Sequence, residues 1–160
     1  MLFRRLSLLV TGLAGLGCLW IHAAAVEMER LAIQQGVSVA EILAHHNGPM
    51  LATGRDTELD ILPVSKRVGV LEALITGSQG FVKAPAAKRG RSLSRHPLYN
   101  ESFTSRRPAT RMHDGNLEVM APVIASIQGM PPGIVGYAFL VYDTKKVVES
   151  VGQPAPISHH

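Results

Sequence analysis

Cysteine is nearly absent from this sequence. Among 160 residues the only cysteine is Cys18, which lies inside an uncharged N-terminal run. The rest of the chain therefore has no internal disulfide, no cysteine nucleophile and no cysteine-ligated metal, and its stability must come from its core. Aromatic residues make up only 5% of the sequence, so we expect a core built mostly of leucine, valine, isoleucine and alanine.

Catalytic motifs are missing as well. The sequence contains no G-x-S-x-G, no H-E-x-x-H and no glycine-rich phosphate loop, so it predicts neither an enzyme nor a bound cofactor. Its seven histidines do not indicate a metal site either. His45 and His46 are adjacent and point about 100° apart on a helix, whereas His159 and His160 lie at a polar terminus.

An uncharged stretch of twenty residues runs from Leu6 to Ala25, directly after Arg4 and Arg5. A helix of that length can cross the roughly 30 Å hydrocarbon layer, and the two arginines favour a cytoplasmic N-terminus. A cleaved secretory signal is the alternative, because the alanines at 23–25 form a plausible cleavage site, and a lipidated Cys18 is a third. All three interpretations place the rest of the chain outside the cytoplasm.

The sequence thus divides into three predicted segments. Residues 1–26 form a membrane anchor or signal, residues 27–148 form one domain outside the cytoplasm, and residues 149–160 form a flexible tail. With the anchor retained, we expect a single-pass inner-membrane protein whose domain lies in the periplasm.

Apolar residues recur at helical spacing from Glu27 to Asn47, which predicts a long amphipathic helix continuous with the N-terminal segment. Gly36 interrupts the pattern, and Asn47-Gly48-Pro49 is expected to end the helix. A second, shorter helix is predicted from Glu58 to Ser65, where Pro63 is unfavourable.

β-Compatible runs fill most of the remaining chain. Asp114-Gly115 predicts a tight hairpin turn, and the last run is apolar enough to be the central strand of a sheet. The predicted strands are Val68 to Thr76, a short strand from Phe81 that ends before Pro85, Ala109 to His113, Leu117 to Ala125, and Ile134 to Tyr142. Between them, residues 86–107 are expected to form a loop with one helical turn near Pro97 to Phe103.

This order of elements resembles the extracytoplasmic PAS-like sensor domains, of the single Cache type, found in bacterial transmembrane receptors. The likeness lies in the hairpin from Leu71 to Ala84, in Gly90 to Tyr99, and in the two strands between Leu117 and Tyr142. It implies an α+β fold in which a long N-terminal helix precedes an antiparallel sheet of about five strands. It also implies a role in signal transduction, either as the front part of a larger receptor or as a self-contained anchored domain.

A basic segment extends from Lys83 to Arg111 and contains eight lysines and arginines but a single acidic residue, Glu101. The resemblance places it beside the sheet face where such domains bind ligands, so a guanidinium there could hold a carboxylate or phosphate. The predicted ligand-binding residues are Arg95, Tyr99, Arg111 and Tyr137. The alternative is a solvated basic loop, lying against anionic lipid head groups.

The sequence therefore predicts a membrane-anchored sensory domain that binds a small anion and signals through its N-terminal helix. The amphipathic stripe of that helix favours a homodimer, whereas nucleic-acid binding is not expected outside the cytoplasm. The alternative function is a non-catalytic assembly subunit of a cell-envelope complex with a ligand-free PAS-like fold. A filled core without a pocket beside Arg111 and Tyr137 would favour this alternative.

Overall fold

The computed structural model describes residues 2–127 and 129–146, with the backbone alone for residues 2–25. The predicted tail, residues 149–160, lies outside the described residues. The first helix, α1, extends over Leu2–Ala52. Leu6–Ala25, the stretch predicted to be a membrane span or signal, forms part of α1. In the described part of the chain no helix is both long and apolar enough to cross a membrane.

The predicted end of this helix at Asn47-Gly48-Pro49 is wrong, because α1 continues through all three residues. Pro49 lies in the last turn and is exposed, so its missing amide hydrogen removes a single helical hydrogen bond near the end of the helix. Asn47 is fully buried, and its side chain joins the end of α1 to the chain segment that follows it. Its amide donates to the Leu43 and Asp60 carbonyls and accepts from the Asp60 N–H, all within 3.0 Å.

The predicted second helix, Glu58 to Ser65, is interrupted at residues 59–61, which are not helical. A 3₁₀ turn covers Asp56–Glu58, and the short helix α2 covers Leu62–Ser65. Pro63 explains the division, since proline is accepted in the first turn of a helix but not in its interior.

Five strands form one antiparallel sheet in the order β2-β1-β5-β4-β3. Their bounds are β1, Val70–Gly77; β2, Val82–Ala84; β3, Ala109–His113; β4, Asn116–Ala125; and β5, Gly133–Asp143. The predicted α+β fold is confirmed, as is the central position of the last strand. The expected helical turn is the helix α3, Pro97–Ser105.

Each face of the sheet carries its own apolar cluster. On one face α1 packs its residues Val39, Leu43 and Leu51 against alternate residues of β4 and β5. Gly36 permits this close approach, because a Cβ added there would lie 2.7 Å from Cδ2 of Leu117. The opposite cluster contains Leu74, Leu93, Leu98, Met120, Tyr137 and Phe139. The sheet is thus buried on both sides.

Candidate functional site

The sheet face opposite α1 is covered by the chain between β2 and β3. Backbone hydrogen bonds hold this segment against the first hairpin: the Gly90 N–H donates to the Val82 carbonyl, and the Leu93 N–H donates to the Gly80 carbonyl. The chain then reaches His96, the N-cap of α3, whose Nδ1 accepts from the Leu98 N–H at 3.4 Å. This path places His96 over the sheet, with its ring 5.0 Å from that of Phe139.

A polar cluster surrounds Glu118, which projects from β4 and is only 8% exposed. Arg111, its cross-strand neighbour on β3, donates to Oε2 from Nε at 3.2 Å, and its Nη2 lies 3.1 Å from the same oxygen. Nε2 of His96 lies 3.3 Å from Oε2, and Nδ1 of His113 lies 3.2 Å from Oε1. Three basic side chains therefore converge on one buried carboxylate, which we name the Glu118 cluster.

Burial lowers the pKa of His96 below its usual value near 6.5. Glu118 opposes this shift by favouring the imidazolium, while the positive charges of Arg111 and Arg91 add to it. His96 is thus held in its neutral form, and its ring can accept one hydrogen bond and donate another.

The His96 pKa shift predicts an acid-sensitive contribution to stability. The unfolded chain binds a proton at His96 near pH 6.5, before the folded protein does, so this contribution is present above that pH and is lost as the pH falls below it. We expect His96→Gln to reduce the loss in free energy of unfolding between pH 7.5 and 5.5, measured by urea denaturation. The exposed His45→Gln is the control, and equal losses in wild type and His96→Gln would contradict the shift.

A pair of tyrosines lies on the same face: Tyr137 is fully buried and Tyr99 is partly buried. The rings of Tyr99 and Tyr137 are 4.8 Å apart, and the Tyr99 hydroxyl donates to the Ser78 carbonyl. The Tyr137 hydroxyl is buried and has no hydrogen-bond partner among the described residues. Burial, together with the neighbouring Tyr99, raises the pKa of Tyr137 to about 12. Its hydroxyl is therefore a neutral donor.

The structure brings some of the predicted ligand-binding residues together and separates others. Tyr99 and Tyr137 are in contact, and Arg111 lies on the same face within the Glu118 cluster. Arg95 is exposed, with no ion pair to any described residue. The sequence interpretation did not include Glu118. Symmetry about the Asp114-Gly115 turn could have found it, because the hairpin register pairs Arg111 with Glu118.

The basic segment is partly neutralised by acids from elsewhere in the chain. Lys83 pairs with Asp56 at 2.8 Å, while Lys88 and Arg91 both contact Glu72. With Arg111 bound to Glu118, half of the eight basic residues have an acidic partner that the linear sequence did not indicate.

Three cavities lined by described residues lie away from Arg111 and Tyr137. One, of about 370 Å³, lies beside the β1–β2 turn and is lined by residues that include Gln79, Lys83 and Ile134. The other two, of about 450 and 410 Å³, lie along α1 beside His45. None of the three is lined by the tyrosine pair or by the Glu118 cluster.

Comparison with solved structures identifies the fold. The chain is similar to the crystal structure of the sensor domain of DcuS from E. coli, with a TM-score of 0.58 and 14% identity. The match covers 79% of this chain and 99% of the DcuS domain. The fold is PAS-like. No family model matches the sequence, and no curated protein matches it significantly. The predicted resemblance to PAS-like sensor domains is thus confirmed at the level of structure.

Proposed function

We propose that this chain is a non-catalytic sensory domain that lies outside the cytoplasm. The observation that carries the proposal is the likeness to the DcuS sensor domain, which extends over 79% of the chain and so includes most of the helix-and-sheet architecture. The absence of a recognised catalytic motif in the sequence agrees with sensing rather than catalysis.

The location rests on the N-terminal sequence. Arg4 and Arg5 followed by the uncharged run from Leu6 to Ala25 are typical of an inner-membrane anchor or a secretory signal. Either would deliver the folded domain to the periplasm. A reporter enzyme that works only outside the cytoplasm should be active when fused after His160, and inactivity of that fusion would contradict the location.

The proposed ligand is a small carboxylate or phosphate bound on the face opposite α1. Arg111 supplies a partly exposed guanidinium there, and Arg95 lies next to His96 at the surface. The buried Tyr137 hydroxyl has a donor hydrogen to offer, and leaving such a group unpaired costs about 1–3 kcal/mol. None of the three cavities lined by described residues reaches this hydroxyl, so a ligand oxygen would recover that cost only after the surrounding side chains move.

We expect a thermal-shift screen of carboxylates and phosphates to find a stabilising compound, since a ligand at 100 times its dissociation constant adds about 2.7 kcal/mol. Arg111→Met should abolish the stabilisation, because methionine keeps the stem but lacks the guanidinium. Arg107→Met is the matched control, as Arg107 is exposed and lies beyond α3. If a compound stabilises Arg111→Met and wild type equally, Arg111 does not belong to the binding site.

A ligand-free assembly subunit is the second candidate function. It is favoured by the packing beside the tyrosine pair, where Leu74, Met120 and Phe139 are buried by described side chains. A screen in which no anion stabilises the wild-type protein would select this candidate.

Part of the apolar pattern on which the homodimer was predicted, including Val39 and Leu43, packs on the sheet, so a second copy of the chain would have to contact the outer side of α1. Leu31, Gln35, Ser38, Ile42 and His45 are all exposed and follow alternating steps of four and three residues; we name them the α1 stripe. Residues at this spacing lie along one side of a helix, and two of the five, Leu31 and Ile42, are apolar like the contact positions of paired helices. In a parallel pair, Glu41 of one copy would approach His46 of the other, which is a favourable combination of charges when the histidine is protonated.

We therefore propose a parallel homodimer in which α1 carries the response. A ligand shifts such an equilibrium only if it binds one arrangement of the two copies more tightly than the other. The helix is suited to this role because its backbone is continuous from Leu2 to Ala52.

Sedimentation equilibrium tests the dimer. We expect Ile42→Asp to weaken self-association by about 1–3 kcal/mol, since it replaces an apolar contact of the α1 stripe by two facing charges. Phe103→Asp is the control: Phe103 is 59% exposed, compared with 40% for Ile42, but lies on α3 at the opposite face of the sheet. A monomeric wild-type protein, or equal effects of the two variants, would contradict pairing through the stripe.

A further inference from the structure

The Glu118 carboxylate uses both of its oxygens. Oε2 meets Nε and Nη2 of Arg111 at 3.2 and 3.1 Å and Nε2 of His96 at 3.3 Å, while Oε1 meets Nδ1 of His113 at 3.2 Å. Proteins bind the carboxylate of a small molecule with donors of this kind, namely a planar guanidinium and imidazole groups. Here the chain supplies that carboxylate itself.

An external anion would meet two obstacles in this arrangement. The Arg111 nitrogens that face inward are already engaged, and the negative charge of Glu118 repels a second carboxylate at the same donors. The cluster as folded is therefore closed to anions, although it is built from anion-binding side chains.

The exposure of the partners indicates how Glu118 could leave. The His113 side chain is 54% exposed, whereas that of His96 is 17% exposed. His113 thus lies on the outer side of the carboxylate and His96 on the inner side. A rotation of Glu118 toward His113 would keep one partner and bring the carboxylate to solvent, so it would not become a buried unpaired charge.

We propose that Glu118 is an internal stand-in for the ligand's carboxylate or phosphate, and that an anion binds by displacing it from Arg111 and His96. This inference rests on the anion site of the proposed function. It makes Glu118 a residue that sets the affinity: it opposes binding by competing for the same donors, and only an anion that pairs better with Arg111 and His96 displaces it.

Isothermal titration of the purified full chain with succinate and with inorganic phosphate tests the proposal. Glu118→Gln keeps the shape of the side chain but removes its charge, and we expect it to bind one of the two anions at least about tenfold more tightly than wild type. Glu58→Gln is the control, because Glu58 also forms an ion pair, with Arg55, and neither residue is among the charges that act on His96. Its affinity should equal that of wild type.

The outcomes separate this inference from the proposed function. If wild type binds an anion and Glu118→Gln binds it equally or more weakly, Glu118 is not a stand-in for the ligand. The anion site of the proposed function then remains. If only Glu118→Gln binds an anion, Glu118 does occupy the site in place of a ligand, but the wild-type protein is not an anion sensor. No binding by either protein overturns both, since the donors freed from Glu118 would not recognise an anion.

Nuclear magnetic resonance of the wild-type protein gives a second test that does not depend on how a variant folds. Displacement of Glu118 changes the environment of two imidazole rings, so the ring signals of His96 and His113 should both move during the titration with succinate or phosphate. The exposed ring of His45 should not move. Constant signals of His96 and His113 at saturating anion would overturn the displacement.

Discussion

Replacing Ala138 by aspartate is expected to lower the free energy of unfolding by about 3–5 kcal/mol, a large fraction of the roughly 5–15 kcal/mol that ordinary domains have. Ala138 is fully buried at the centre of β5, between Ile75 on β1 and Ala121 on β4. Its side chain lies in the apolar cluster between α1 and the sheet. The carboxylate would have to be buried without a partner or be protonated.

Urea denaturation of the variant measures this loss. Ala86→Asp is the control, since Ala86 is exposed in the 3₁₀ turn after β2 and the same change there should be nearly neutral. An unchanged midpoint for Ala138→Asp would show that β5 is not the core strand.

Gly136→Ala is expected to destabilise the domain through a backbone collision rather than through charge. A Cβ at this position would collide with the Thr76 carbonyl oxygen and lie 2.8 Å from Cδ1 of Leu51. The carbonyl belongs to the neighbouring strand β1 and cannot rotate away as a side chain could. We expect a loss of about 1–3 kcal/mol or more, as for other overpacked cores.

Gly133→Ala provides a control in the same strand, because a Cβ there meets nothing within 4 Å. Alanine restricts the unfolded chain more than glycine does, so this variant should be neutral or slightly more stable. We expect thermal unfolding to give a lower midpoint for Gly136→Ala than for Gly133→Ala. Equal midpoints would mean that β1 and β5 lie farther apart than described.

Local patterns were sufficient to predict much of this fold. The run from Ile134 to Tyr142 indicated a strand buried on both faces, and Asp114-Gly115 indicated the β3–β4 hairpin; both are confirmed. These features were accessible because each is encoded by neighbouring residues. Hydrophobic periodicity and turn chemistry act over a few positions, so a sequence displays them directly.

Features that depend on distant partners could not be predicted in the same way. Pro49 suggested a helix end, but packing of α1 on the sheet and the hydrogen bond from Asn47 to Asp60 keep the last turn helical. Gly36 was interpreted as a weak point of the helix, whereas it allows close contact with Leu117 on β4. Tertiary packing overrides local propensity at both positions.

The candidate site was predicted only in part for the same reason. The tyrosine pair and Arg111 do share one face of the sheet. Glu118, the acid that engages Arg111, lies across the hairpin, so the distribution of charge along the chain does not reveal the pair. Asp56 and Glu72, which neutralise other members of the basic segment, come from still more distant positions.

The two apolar clusters meet in a single strand, since Tyr137 and Phe139 face the candidate site while Ala138 and Leu140 face α1. The sheet is thus a single layer between the two clusters, and the side chains on its two sides belong to consecutive residues of β5. A displacement of Tyr137 alters the backbone that positions Ala138, so events on the two faces are thermodynamically linked. Substitutions made on opposite faces of β5 should consequently show non-additive effects on stability, as neighbouring residues do.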